Sequence, residues 1–291
     1  MPGPLLAVDA PYVLFRSFFA LPDSIKGADG RPVNALLGAV NILLRIAAER
    51  RPRAIVACFG PDAAPYRVEL YPDYHAARPA VPDALAWQFE RAPQLFGAFG
   101  WSSEYDGQLE ADDLLGSFAH SEVQSGGDAL IVTGDRDMFQ CAAERVAVVL
   151  LKPGKVGYEL LGPAEVRKRY GVGPELVPDF IALRGDPSDG LPGAPGIGPK
   201  TAAELLTKYG SLEGAIGGAL RGGERPRIVA ALTEAADELR AFKQIATLRL
   251  VEVERPADRE TDLVAGAAAA RELGLNRLAE RLEAAGDVGE L

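Results

Sequence analysis

An α/β fold built on a mainly parallel sheet is what this 291-residue chain predicts. Three observations carry the prediction. Short apolar runs (Leu5 to Val8, Ala54 to Phe59, Ala129 to Val132, Val146 to Leu151) read as buried strands. Helical stretches lie between them, and acids leave the carboxyl ends of two of them: Asp9 from the first, Asp135 and Asp137 from the third. In an open α/β sheet, that edge is where ligands bind.

In chain order, Leu5 to Val8 is the first strand, closed by Asp9, and Arg16 follows seven residues later on a helical stretch with Val13, Leu14, Phe15, Phe18 and Phe19. Asn34 to Ala48 is an amphipathic helix with Leu36, Leu37, Val40, Leu43, Leu44 and Ala47 on its apolar stripe. Beyond the strand Ala54 to Phe59, composition shifts to Pro, Arg and Tyr. Here Arg67, Tyr71, Tyr74, His75 and Arg78 interleave basic and aromatic side chains ahead of a helix around Asp83 to Phe99. Such interleaving can hold backbone phosphates and stack on bases; an exposed loop with a packed aromatic pair reads equally well.

Glu110-Ala111-Asp112-Asp113 opens the next helix, in a first turn whose dipole favours negative charge, with Glu110 and Asp113 on one face. The strand Val146 to Leu151 is followed by a turn at Pro153-Gly154 and a helix around Pro163 to Tyr170. Gly171-Val172-Gly173-Pro174 then reads as a boundary, placing one domain at 1–173 and a second, helical one at 174–291. Within the second, Leu248 to Val253 reads as one more strand.

Glu110, Asp112, Asp113, Asp135 and Asp137 converging on one edge would repel unless cations lie between them. An acid cluster without His or Cys suits Mg²⁺ or Mn²⁺ better than zinc. Either acid run alone reads better as a helix cap or a polar loop; further acids at matching strand ends are what favour a metal site. Further on, Gly185-Asp186-Pro187-Ser188-Asp189 adds two acids, and Gly196-Ile197-Gly198-Pro199-Lys200-Thr201 opens a helix ended by Gly210. A Gly-Ile-Gly hairpin lets backbone N–H groups approach a phosphate at the positive helix end, and Lys200 adds a charge.

Composition is that of a globular protein, 48% hydrophobic and 25% charged. The first twenty residues lack a basic leader region, and no apolar run reaches membrane-spanning length, so a cytoplasmic location is expected. Cys58 and Cys141 read as reduced core thiols. The net charge of −10 argues against a polyanionic partner, but eight acids belong to the candidate metal site and the tail from Val251 carries ten acids against five arginines. What remains is mildly basic.

These motifs together resemble the 5′-nuclease family, which includes the 5′→3′ exonuclease domain of bacterial DNA polymerase I, phage 5′ exonucleases and flap endonucleases. The resemblance runs from Leu5 to Ala219: Val-Asp with an arginine seven on (Asp9, Arg16), Arg67 through the Tyr-x-x-x-Arg of Tyr74 and Arg78, Glu-Ala-Asp-Asp, Thr-Gly-Asp-x-Asp, Gly-Asp-x-Ser-Asp, then Pro-Gly-x-Pro-Gly-Ile-Gly-x-Lys-Thr-Ala. It implies a PIN-like, mixed but mainly parallel sheet flanked by helices, a helical arch over about 66–99, and a helix-hairpin-helix module. By resemblance, Asp9, Glu110, Asp112 and Asp113 form a first metal cluster, and Asp135, Asp137, Asp186 and Asp189 a second. Arg16, Tyr74, His75 and Arg78 lie near the scissile phosphate. Arg67, Gly193, Gly196, Ile197, Gly198, Lys200 and Thr201 serve DNA binding, with K⁺ at the hairpin in relatives.

The chain departs from the family in three places: Phe59-Gly60 where Phe-Asp is common, Tyr74-His75 where Tyr-Lys is common, and Gly190 where Asn is usual. Asp62 is near the first but out of register, so Gly60→Asp is expected to restore a ligand and lower the Mg²⁺ requirement. The function implied is a two-metal 5′→3′ exonuclease and flap endonuclease on DNA with 5′ ends or 5′ flaps. With no polymerase region, a stand-alone, monomeric, nucleoid-associated member is expected, with a replicative or repair polymerase as a candidate partner. The rivals are a catalytically weak or inactive binder of branched DNA, and a Mg²⁺-dependent phosphatase or RNA-cleaving PIN-type enzyme.

Overall fold

The computed structural model describes residues 3–152 and 157–288; the turn expected at Pro153-Gly154 lies outside the described residues. Among the described residues, six strands form one sheet in the order β3-β2-β1-β4-β5-β6. They are β1 (Leu5–Asp9), β2 (Ala54–Phe59), β3 (Ser102–Tyr105), β4 (Ala129–Thr133), β5 (Val146–Leu151) and β6 (Tyr158–Leu161). All neighbours are parallel except β5 and β6. The sheet is therefore mixed and mainly parallel, as expected.

Strands β1 and β2 are buried along their whole length, so they read as continuous apolar runs rather than alternating ones. Their pleat still sorts the side chains. Leu6, Val8, Ile55 and Ala57 face a core shared with α1 (Ala10–Ala20), α2 (Asn34–Arg50) and, after α3 (Pro65–Leu70), α4 (Asp83–Ala98). Leu5, Ala7, Val56 and Cys58 face α5 (Ala111–Gln124).

The C-terminal half adds α6 (Pro163–Tyr170), α7 (Val177–Arg184), α8 (Pro199–Tyr209), α9 (Leu212–Leu220), α10 (Pro226–Glu234) and α11 (Ala236–Ala246). Their core takes in Phe139, Val148 and Leu161 from the sheet half. The last two helices, α12 (Leu263–Glu272) and α13 (Asn276–Val288), return to the first core through Ala267, Ala270, Leu278 and Leu282.

Leu248 to Val253, expected as a strand, pairs with no other strand among the described residues. Its amides are taken by side chains instead: Leu248 N–H donates to Gln140 at 3.2 Å, Arg249 N–H to Asp113 at 2.8 Å and Val251 N–H to Ser117 at 2.9 Å. Beyond it, Arg53 ion-pairs with buried Glu122 and binds Pro256 O and Asp258, while Arg255 adds a second pair to Glu122 at 3.0 Å. The chain thus lies as a strap across α5, held mainly by side chains.

Between β2 and β3, Tyr66, Arg67, Tyr74 and His75 are buried, as are Leu85, Gln88, Ala92, Leu95 and Phe96 of α4. Residues 76–83, between these anchors, are exposed.

Candidate active site

Asp9 ends β1 beside β4 and caps α1, its carboxylate accepting from Tyr12 N–H at 2.9 Å and from the Thr133 hydroxyl at 2.7 Å. Asp135 lies two residues past β4. Its amide donates to Thr133 Oγ1 at 3.0 Å, and its Oδ1 accepts from Asp137 N–H at 2.8 Å, which fixes the turn that presents both acids. Asp112 occupies the first turn of α5, half-buried. Asp186 and Asp189 come from the loop after α7, where Asp186 accepts from Ser188 N–H at 2.9 Å.

Burial is the main cause of raised carboxyl pKa values at Asp9, Asp112, Asp135 and Asp137, with Asp135 pushed up to about 7. Mutual repulsion adds to it. Asp112 feels Asp135, Asp9 and Glu110; Asp135 feels Asp189, Asp9 and Asp186; Asp137 feels Asp135, Asp189, Asp186 and Asp112. Hydrogen bonds from Thr133 and Tyr12, and the charge of Arg78, partly offset the shift at Asp9.

Asp137 Oδ1 is buried and, among the described residues, has no hydrogen-bond partner, a costly state for a carboxylate oxygen unless a cation meets it. The donor set is all oxygen, which fits hard divalent ions. Among the described residues no three acidic, His or Cys side chains already converge to hold an ion.

Two acids expected in the first cluster are committed elsewhere. Glu110 accepts from Ala64 N–H at 2.7 Å and Tyr74 O–H at 3.0 Å and pairs with Arg67 at 2.6 Å. Asp113 is fully buried and takes Arg67 at 3.0 Å, Tyr66 O–H, Glu110 N–H at 3.2 Å and Arg249 N–H at 2.8 Å. These two acids hold the start of α5 in place, and Asp112 is left to face the other carboxylates.

Arg67, expected to meet DNA, is buried between Glu110 and Asp113 and donates to Ile245 O at 3.0 Å. Tyr74, expected near the phosphate, is buried on Glu110 and stacks on His75 with ring centroids 3.8 Å apart. His75 is buried too, in a left-handed backbone conformation (φ 57°). Both of its ring nitrogens face oxygens, the Asp62 carbonyl and Asp189 Oδ1 at 3.1 Å, so it braces that loop.

Arg78 reaches Asp189 at 3.1 Å and Asp62 at 3.0 Å with its side chain 35% exposed, the accessible cation of this group. Arg16 is half-buried on α1, donating to Lys152 O. Arg184 was not expected here; it pairs with Asp186 at 3.0 Å and lies over the Phe180 ring. No spacing rule marks that contact.

Gly60 does not stand as a vacant ligand position. A Cβ there would lie 2.8 Å from Ala111 N and from Glu110 C, and closer still to the Leu109 carbonyl oxygen. All three are backbone atoms at the start of α5. Asp62, moreover, is spent on Arg78. This overturns the expectation that Gly60→Asp restores a ligand. The variant should lower the Tm by several degrees, consistent with an overpacking cost of about 1–3 kcal/mol, and raise the Mg²⁺ needed for half-maximal cleavage. Thermal unfolding and a Mg²⁺ titration check both; a stable variant with a lowered requirement would count against this reading.

At the hairpin, Gly196 is left-handed (φ 76°), whereas Gly198 is extended with open space around it and caps α8 without a side-chain hydrogen bond. Lys200 is 90% exposed and Thr201 half-buried. Gly193 and Ile197 were expected to face DNA but are interior. A Cβ on Gly193 would lie 2.6 Å from the Arg184 carbonyl carbon, and Ile197 anchors the hairpin in the second core.

A family model described as the 5′-3′ exonuclease N-terminal resolvase-like domain matches residues 4–171, and the 5′-3′ exonuclease C-terminal SAM fold matches 172–263. A 5′-3′ exonuclease of Mycobacterium tuberculosis is 37% identical, with 89% of each chain covered. One of Streptomyces coelicolor is 40% identical over 72% of this chain and 73% of its own. DNA polymerase I of Mycobacterium bovis is 38% identical over 72% of this chain, a match spanning only 23% of that longer protein.

Among solved structures, T5 5′-exonuclease with bound zinc is 16% identical with a TM-score of 0.68, covering 96% of this chain and 97% of that one. The catalytic core of Rad2 with a DNA substrate is 14% identical with a TM-score of 0.64, covering 96% and 92%. Likeness at this identity speaks to fold, and it agrees with the PIN-like sheet described above. By its sequence, the chain belongs to the 5′-3′ exonuclease family.

Proposed function

We propose that the protein is a divalent-metal-dependent 5′→3′ exonuclease and flap endonuclease that hydrolyses DNA phosphodiesters at the carboxyl edge of β1 and β4. The observation that carries this is the desolvated, mutually repelling group Asp9, Asp112, Asp135 and Asp137, which includes the unpartnered Asp137 oxygen and has the charges of Asp186 and Asp189 beside it. A fold keeps such a group when cations offset it. Asp9, Asp112, Asp135 and Asp137 would hold Mg²⁺ or Mn²⁺, with Asp186 and Asp189 completing the second position. When bound, two such ions activate water and relieve charge on the leaving oxygen.

The chain's own residues supply the rest. Glu110 and Asp113, locked by Arg67, fix the first turn of α5 and so aim Asp112. His75 steadies Asp189. Arg78, exposed beside these acids, is placed to meet the scissile phosphate. The bare backbone around Gly196 and Gly198, with Lys200, takes the duplex backbone and is the candidate K⁺ position. The exposed span 76–83 is the candidate arch segment beside the flap. Among the described residues no helix is long and apolar enough to cross a membrane.

The commitment of Glu110 and Asp113 to protein donors favours, as a second reading, a catalytically weak member that mainly binds branched DNA. A 5′-flap substrate labelled at either end, run with Mg²⁺, Mn²⁺ or EDTA beside an RNA flap and a small phosphoester, separates the readings. Metal-dependent release of flap fragments or 5′ nucleotides from DNA is expected. Binding without cleavage at saturating metal supports the second reading, and preference for RNA or the small ester overturns both.

A further inference from the structure

Arg227, near the start of α10, packs its guanidinium against the hairpin. A Cβ built on Gly196 would lie 2.5 Å from Arg227 Nη2 and 3.1 Å from both Cζ and Nε, so the guanidinium covers the face of Gly196 that a side chain would occupy. Gly196 is thus glycine for two reasons: its φ of 76° and the arginine laid upon it.

The arginine is exposed, and among the described residues it makes no ion pair or side-chain hydrogen bond. Its surroundings make that informative. Arg227 opens onto a hollow of about 600 Å³ whose walls also carry Pro195, Ala231, Glu234, Asp237 and Glu238. Asp237 is already paired with Arg240 at 2.8 Å, and Arg240 also holds Glu213 at 2.7 Å. Glu234 and Glu238 leave Arg227 unpaired. A guanidinium held over the Gly196 backbone, beside a helix start with no side-chain cap and on the hairpin that carries the 90% exposed Lys200, presents a planar donor fork to an incoming anion.

We propose that Arg227 is a phosphate-binding residue of the duplex site, gripping one backbone phosphate together with the Gly196–Gly198 backbone and Lys200. Glu234 and Glu238 repel phosphate from the rest of the hollow and confine the contact to its hairpin side. The inference rests on the hairpin being the duplex site, so the test separates the two.

The experiment measures binding of uncut 5′-flapped duplex and of single-stranded DNA of equal length in EDTA across a salt series. It uses wild type, Arg227→Gln, Arg227→Lys and Gly198→Val, with thermal unfolding of each. Arg227→Gln is expected to weaken duplex binding about tenfold, to lower the slope of log affinity against log salt by about 0.9, and to change single-strand binding by less than about twofold. Arg227→Lys keeps the slope and recovers part of the affinity, because it retains the charge and loses the fork. Gly198→Val also weakens duplex binding, since its Cβ enters open space and disturbs only the approach of phosphate.

If Gly198→Val weakens binding while Arg227→Gln keeps wild-type affinity and slope, the Arg227 proposal fails and the hairpin reading stands. If neither variant changes duplex binding, the hairpin reading itself fails. Equal losses on duplex and single strand, or a loss that tracks a lowered Tm and is not restored by Arg227→Lys, also overturn the proposal.

Discussion

Asp135→Asn is expected to reduce flap cleavage on the order of 10³-fold at saturating Mg²⁺ while leaving flap binding within about twofold of wild type. Asparagine keeps an Oδ1 that can accept from Asp137 N–H, now at 2.8 Å, so the turn survives and only the charge is lost. The same substitution should stabilise the metal-free fold. Burial and the neighbouring acids raise the Asp135 pKa to about 7 from 3.8, so the folded state favours its protonated form. Stability from that proton is fully present below about pH 4 and is lost as pH rises through about 7.

In EDTA, wild type should therefore lose stability against Asp135→Asn between about pH 4 and 7, by on the order of 2–4 kcal/mol shared among the coupled acids, and Mg²⁺ should restore it. Denaturant unfolding across that range, with and without Mg²⁺, is the measurement. A variant retaining a tenth or more of wild-type turnover, or a stability difference that stays flat with pH, would sink the assignment of Asp135 to the metal site.

The second large effect is expected at Arg67, which is 4% exposed and pairs with Glu110 at 2.6 Å and Asp113 at 3.0 Å. Arg67→Ala strips the counter-charge from two buried carboxylates at once, which costs about 3–5 kcal/mol in comparable buried pairs. Arg67→Lys should recover less than half of that, because one ammonium cannot span both acids and the Ile245 carbonyl as the guanidinium does. Because Glu110 and Asp113 fix the first turn that carries Asp112, the Mg²⁺ requirement should rise in the variant that still folds. Denaturant titration of both variants and a Mg²⁺ titration of Arg67→Lys check this. An Arg67→Ala protein within about 1 kcal/mol of wild type would refute a bracing role.

The linear order of residues determined what depends on local period and on strand ends. Strands β1, β2, β4 and β5 were legible because buried parallel strands are short apolar runs, and Asp9, Asp135 and Asp137 because the residues following such strands emerge at the ligand edge. The Gly196–Lys200 hairpin was legible from glycine chemistry. The edge strands β3 and β6 were not: Ser102–Tyr105 is mostly polar, and Tyr158–Leu161 is only partly buried, so neither stands out as an apolar run.

Leu248 to Val253 has strand composition, yet its amides were claimed by Gln140, Asp113 and Ser117, partners more than a hundred residues away. Neighbours Asp112 and Asp113 show the same limit within one helical turn. About 100° apart around the α5 axis, they cannot share a direction. Which of them met the carboxylates and which met Arg67 was decided by where the β2–α4 connection brought that arginine, because the low-dielectric interior lets a buried acid persist only where a cation or donor reaches it.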